Sequence, residues 1–276
     1  MKVLTFFTII FMLFGLHAEE YKFEMKGVKA SLVSEYSSIA PGQKFTVAVF
    51  LQHFDDFHTY WRNPGMVGYA TQIKWILPEG FKAGEVKWQV PERAKMLKFN
   101  CHAYSGDTYL LAEIQAPGKL PEKFDLKAKI GGMSCSTKEC CKIGFMNLSV
   151  SLRGADKSVK DVGGAIIVST AKKKLPEKLK SVAVKGELKD GFLYLNFSSS
   201  KKIKNAEDIY FYANENITDT EKQQELTVNG NGSLQLKIKL SSYVPENLKT
   251  IEGLLYRKSG WNEDGAQYSK VSLNLN

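Results

Sequence analysis

The sequence predicts an all-β chain of two tandem antiparallel sandwiches behind a cleaved targeting segment. Three observations carry this. Apolar residues alternate with period two in many short runs, Pro/Gly pairs separate those runs, and a Gly-, Lys- and Asp-rich stretch from Arg153 to Ala165 divides them into two blocks. The 276 residues are 43% hydrophobic and 24% charged, with four cysteines and eight prolines. That composition excludes a disordered chain, a collagen-like repeat and a small disulfide-stapled scaffold. The formal charge of +9 comes mostly from Lys scattered singly, which reads as a solvated basic surface. No nucleic-acid motif accompanies it, so no nucleic-acid partner is expected.

Residues 1–18 read as a signal peptide. Met1-Lys2 gives a positive start, Val3 to Leu16 is apolar, and Leu16-His17-Ala18 puts a small residue at the cleavage position before Glu19-Glu20. The run is short for a bilayer span, and no Cys follows it to take a lipid anchor. No later stretch approaches about 18 apolar residues, so the expectation is an exported, soluble product with no membrane span after signal removal. Thiols in such a compartment are normally oxidised, so four cysteines need an explanation.

The first block, residues 19–153, alternates at Phe45-Val47-Val49-Leu51, Ile73-Trp75-Leu77, Leu110-Ala112-Ile114, Phe124-Leu126-Ala128-Ile130 and Leu148-Val150-Leu152. Pro41-Gly42, Asn63-Pro64-Gly65, Pro78-Glu79-Gly80 and Pro117-Gly118 mark turns between them. Residues 154–181 read as a linker, with a short helix or turn between Ala165 and Lys180. The second block, residues 182–276, has runs at Phe192–Phe197, Ile209–Tyr212, Leu234-Leu236-Ile238-Leu240, Leu254–Tyr256 and Val271-Leu273-Leu275. Within it, Asn229-Gly230-Asn231-Gly232 is a hairpin signal. Each block is about the size of one immunoglobulin-like sandwich.

All the unusual chemistry falls in the first block, because Cys101, Cys135, Cys140 and Cys141 are the only cysteines. Cys135 to Cys141 lies between two alternating runs and reads as a hairpin tip. Cysteines on facing strand ends come within disulfide range. Lys138 and Lys142 favour a thiolate there, and Glu139 opposes them. Spacing alone leaves three readings open: a structural clip, a redox-exchange pair, or a metal site. Cys101-His102 with the hairpin cysteines would suit zinc or copper, although no CxxC pair is present. The cluster His58-Thr59-Tyr60-Trp61-Arg62 reads as loop or core, since no Ser or Cys motif adjoins it. Trp61, Trp75 and Trp88 likewise read as core or sheet residues, and Lys172-Lys173-Lys174 as a solvated turn.

The blocks Phe57-His58-Thr59-Tyr60-Trp61-Arg62-Asn63-Pro64-Gly65, Trp75-Ile76-Leu77-Pro78-Glu79-Gly80-Phe81, Trp88-Gln89-Val90-Pro91-Glu92-Arg93 and Ala103-Tyr104-Ser105-Gly106-Asp107 stand out in the first half. Together they resemble the amino-terminal domain of the DsbD/ScsB family of periplasmic thiol–disulfide interchange proteins. The resemblance runs on to the cysteine hairpin and covers about half the chain. It implies an immunoglobulin-like sandwich whose two cysteines exchange electrons, without a cofactor or metal, with thioredoxin-fold periplasmic partners. Cys135 matches the first family cysteine and Cys141 is preferred as the second, with Cys140 as the alternative. Ile143 stands where the family usually has Pro. The resemblance also places Tyr104 in a cap loop over the pair, with Cys101 and His102 on the same loop.

Full-length members of the family continue into a membrane-embedded domain and a thioredoxin-like domain. A chain ending after a second β block would therefore receive electrons from a separate membrane protein, with the second block as a docking or spacer sandwich. The resulting expectation is a protein-disulfide reductase working through a Cys135/Cys141 dithiol. The competing class is a non-enzymatic envelope binding module with a structural disulfide, or one handling copper or zinc. Thiol shuffling between Cys140 and Cys141 is a further possibility.

Overall fold

The computed structural model describes residues 25–179, 182–198, 208–229, 233–261 and 265–275, and only the backbone of residues 140–142. The signal-peptide segment, residues 1–18, lies outside the described residues.

The strands of the first half are β1 (Val28–Ser34), β2 (Tyr36–Ile39), β3 (Lys44–His53), β4 (His58–Tyr60), β5 (Gln72–Ile76) and β6 (Lys82–Ala83). They continue with β7 (Glu92–Met96), β8 (Phe99–Tyr104), β9 (Asp107–Gln115), β10 (Lys123–Cys135), β11 (Cys140–Gly154) and β12 (Val159–Lys160). One sheet orders them β1-β3-β9-β6, and the facing sheet β12-β2-β11-β10-β4-β8-β7, with β5 also on β10. The alternation holds residue by residue. Phe45, Val47, Val49 and Leu51 of β3 and Phe124, Leu126, Ala128 and Ile130 of β10 turn inward and are buried between the sheets.

Ala48 of β3 is buried as well, on the opposite face. It is covered by α1 (Val162–Lys173), whose Val168 and Ala171 pack on Ala48, Tyr109 and Leu111. The Asp161 side chain caps this helix by accepting the Gly164 N–H at 2.7 Å. The stretch that reads as a linker is therefore docked for most of its length. β12 adds an edge to the second sheet beside β2, and α1 lies on the first.

The second half is built from β13 (Glu177–Lys178), β14 (Ala183–Lys189), β15 (Phe192–Ser198), β16 (Ile209–Ala213), β17 (Glu225–Val228), β18 (Leu234–Lys239), β19 (Thr250–Arg257) and β20 (Tyr268–Asn274). They make two four-stranded sheets, β13-β20-β19-β16 and β14-β15-β18-β17. Leu193, Leu195, Phe197, Leu234, Leu236, Ile238, Leu255 and Leu273 fill a separate core between them. β17 and β18 pair as the expected hairpin, closed by an Asn229 N–H to Ser233 O bond of 2.8 Å; the tip, residues 230–232, lies outside the described residues.

The two sandwiches meet along a polar and aromatic seam. Tyr212 and Leu254 of the second join the core of the first. Asn63, buried at the start of the Asn63-Pro64-Gly65 turn, donates from Nδ2 to Ala213 O (2.8 Å) and Glu215 O (2.7 Å). Gly65 has φ +92°, and a Cβ there would come within 2.6 Å of the Thr220 side chain, so glycine is required both by the backbone and by this close approach. Arg93 bonds both carboxylate oxygens of Asp208 at 3.0 Å and lies over the Tyr210 ring.

Candidate functional site

The long hairpin β10–β11 carries the cysteines at its tip because its alternation continues from the core to the turn. Its register is unbroken from Lys123↔Arg153 to Met133↔Ile143, then shifts by one residue so that Cys135 pairs with Cys140. Such a shift is a β-bulge, the device by which a strand end is twisted and re-aimed. Cys141 follows Cys140 within the irregular step; the side chains of Cys140 and Cys141 lie outside those described. Ser136 organises the tip: its N–H donates to Glu139 O at 2.8 Å, and its Oγ accepts the Lys138 and Glu139 N–H groups at 3.2 Å.

Neighbouring segments clamp this tip. The Asp56 carboxylate accepts from the Thr137 hydroxyl and from the Thr137 N–H (3.1 Å), and the hydroxyl bond holds the carboxyl below its ordinary range. Lys26 pairs with Glu139, so the negative charge expected to oppose a thiolate is engaged elsewhere. Ser134 Oγ donates to Lys26 O at 2.7 Å.

β4 lies beside the tip, with Thr59 opposite Ser134 and His58 opposite Cys135; on its other side Thr59 pairs with Tyr104 and Tyr60 with Ala103. Strand alternation then sorts the side chains. Tyr60, Cys101, Ala103 and Cys135 form one buried cluster, bordered by Val67, Ala94, Met96 and Met133. Cys135 is 0% exposed. The Met96 sulfur touches Cys135 Sγ at 3.9 Å and accepts the Tyr60 hydroxyl at 3.0 Å. Burial, reinforced by Cys135 and Glu221 nearby, pushes the Cys101 thiol up to about 11, with the Met96 N–H pulling weakly the other way. Cys101 is thus held as a neutral thiol next to Cys135.

Of the three residues expected in a cap over the pair, only Cys101 joins the Cys135 cluster. Tyr104 is 3% exposed within the main core, and its hydroxyl donates to Gln89 O at 2.8 Å. His102 turns to the seam, with Nδ1 on Asn63 O and Nε2 on Tyr210 OH, both at 3.1 Å. Burial lowers its pKa to about 4. Tyr60 and Met96 cover Cys135 instead. The alternation in Cys101-His102-Ala103-Tyr104 carried the signal, since residues 101 and 103 must face opposite to 102 and 104. Among the described residues no group of three His, Cys, Asp or Glu gathers at a metal-binding arrangement. No helix among them is long and apolar enough to cross a membrane.

Residues 29–145 match the family model of the thiol:disulfide interchange protein DsbD, N-terminal. No curated protein matches the chain in sequence. Among solved structures, the N-terminal periplasmic domain of ScsB from Proteus mirabilis is 14% identical, with a TM-score of 0.63. The match covers 90% of this chain and 92% of that one, so the fold they share spans both sandwiches. The Neisseria meningitidis DsbD n-terminal domain, in the reduced form, is 15% identical with a TM-score of 0.31, covering 47% of this chain and 88% of that one. Residues 29–145 are therefore similar to the DsbD amino-terminal domain, and the chain as a whole shares the two-sandwich fold of the ScsB periplasmic domain.

Proposed function

We propose that this chain performs thiol–disulfide interchange in the periplasm, passing electrons between a separate membrane reductase and thioredoxin-fold partners through a hairpin dithiol. The observation that carries this reading is the register of β10 and β11, which sets Cys140 directly opposite Cys135 at the end of a hairpin. Directly paired residues have Cα atoms about 4.5–5.5 Å apart, within the span of a disulfide. The family resemblance favours Cys141 as the second cysteine, and the register favours Cys140. In the reducing direction a hairpin thiolate attacks the partner's disulfide and forms a mixed disulfide. The second hairpin thiol then displaces the partner, leaving an intramolecular disulfide here and two thiols on the partner. Because Cys135 is fully buried, it suits the second, intramolecular step. The cysteine-free second sandwich serves as a docking and positioning unit.

A redox titration of the full chain, with the changing cysteines mapped by mass spectrometry, tests this reading. The expected result is one reversible pair containing Cys135, with Cys101 unchanged. A bond involving Cys135 that stays closed below about −300 mV, as structural disulfides do, would overturn the interchange reading. Mapping to Cys140 or to Cys141 decides between the two pairs.

A further inference from the structure

His58 is buried, 6% exposed, and pairs directly with Cys135 across β4 and β10. Paired residues share a face, with Cβ atoms about 4.5–5.5 Å apart, so the imidazole and the thiol project from neighbouring positions on one face. The ring also makes an edge contact with Tyr60, itself part of the Cys135 cluster, at 5.3 Å between centroids. One ring nitrogen bonds the Asp56 backbone, and Nε2 is buried with no hydrogen-bond partner among the described residues. The Asp56 bond therefore falls to Nδ1. In the neutral ring this makes Nδ1 the donor and leaves Nε2 with a bare lone pair. An unpaired buried acceptor costs stability, and on the same face as a thiol it can accept a proton once the two groups close to hydrogen-bond distance.

We propose that His58 accepts the Cys135 proton during the resolving step, an inference that rests on the interchange reading above. The Cys135 Sγ–H proton passes to Nε2. The thiolate attacks the hairpin sulfur of the mixed disulfide, the intramolecular S–S bond forms, and the bond to the partner breaks. The departing thiolate then takes the proton from the imidazolium. The partner disulfide is the oxidant; it gains two electrons and the hairpin dithiol loses them. Burial holds the His58 pKa below its ordinary 6.5, which keeps the ring neutral and accepting at neutral pH. The charged and titratable groups around it are Asp56 on its own turn, Lys138 and the Lys26–Glu139 pair at the hairpin tip, and His53 on β3. Of these, Asp56 opposes the lowering.

The test follows reduced full-length protein after mixing with glutathione disulfide, with the glutathione adduct and the intramolecular disulfide quantified separately by mass spectrometry. The His58→Phe variant, which refills the ring volume, should accumulate the adduct and resolve it about tenfold or more slowly at pH 7. The gap should narrow as pH rises and hydroxide deprotonates the thiol without the imidazole. In the wild type, the resolution rate should fall off with acid at the same pH at which the His58 ring protons titrate by NMR. A wild-type profile that tracks one thiol ionisation, with no inflection at the His58 pKa, would overturn the proposal even if the variant failed to fold. Equal resolution by wild type and variant would do the same. Failure of the wild type to form any intramolecular disulfide at Cys135 would instead sink the interchange reading.

Discussion

Replacing Asn63 by Asp tests how the two sandwiches are held together. Asn63 is 2% exposed; Nδ2 donates to Ala213 O and Glu215 O at 2.8 and 2.7 Å, and Oδ1 accepts the Gly65 N–H at 3.1 Å. An aspartate keeps the shape but, when ionised, has no donor, and it sets a carboxylate against two carbonyl oxygens. Two lost bonds at about 1 kcal/mol each, plus the cost of an unpaired buried charge, come to about 3–5 kcal/mol at pH 7. Asn63→Ala loses only the bonds, about 2–3 kcal/mol. The substituted carboxyl is held protonated in the folded state, so its pKa there is raised above the unfolded value near 3.9. Its extra penalty is absent below that value and grows as pH rises from about 4 to the folded pKa.

Urea unfolding followed by tryptophan fluorescence at pH 4.5 and 7.5 measures this directly. Asn63→Asp should be the less stable variant at pH 7.5 and should recover toward Asn63→Ala at pH 4.5. Two variants of equal stability at pH 7.5, or both within about 0.5 kcal/mol of wild type, would show that these donors do not couple the sandwiches.

Two further outcomes follow from placements the sequence did not reveal. Met96→Ala uncovers Cys135 Sγ and should raise its alkylation rate in reduced protein severalfold, whereas Tyr104→Ala should cost about 3–5 kcal/mol in unfolding, as truncation of a core aromatic does. Timed alkylation with peptide mapping, alongside denaturation, separates the two, and the reverse pattern would return the cover to Tyr104. For His102, a folded pKa of about 4 against an ordinary 6.5 means that the unfolded chain takes up the proton first. The neutral ring's contribution is complete above pH 6.5 and is lost as pH falls toward 4, about 3 kcal/mol in all. His102→Gln should remove that part of the acid slope, measured by urea midpoints between pH 4 and 7.

The strands were legible because burial on one face writes a period of two into the chain, as at Phe45 to Leu51 and Phe124 to Ile130. α1 was legible only as a short helix or turn between Ala165 and Lys180. It starts earlier, at Val162, and turns a narrow stripe of Val168 and Ala171 to the sheet while Val162 and Ile166 stay exposed, so its apolar pattern is faint. The hairpin cysteines were found from turn position and resemblance. Their buried neighbours were not, because Tyr60, Met96 and Cys101 reach Cys135 only through a long-range strand order, β10-β4-β8-β7. His58 shows the same limit. In the sequence it has no cysteine beside it, and pairing across two strands supplies one.

That strand order also ties the second sandwich to the thiol. The β7–β8 hairpin presents Met96 to Cys135 at its turn. Along its length the same hairpin is held from the other sandwich. Arg93 pairs with Asp208, the Asn100 N–H donates to Glu221 Oε1 at 2.7 Å, Asn100 Nδ2 donates to Thr220 O at 3.2 Å, and His102 meets Tyr210. Three of the hairpin's residues thus anchor it at the seam while one covers the sulfur. A free hairpin of two strands is marginally stable in water, so its position over Cys135 depends on what it is fastened to. Fastening comes from β4 on one side, through Tyr60↔Ala103 and Thr59↔Tyr104, and from the second sandwich on the other. The cysteine-free half of the chain therefore fastens, from the far side of the seam, the hairpin whose Met96 touches the Cys135 sulfur.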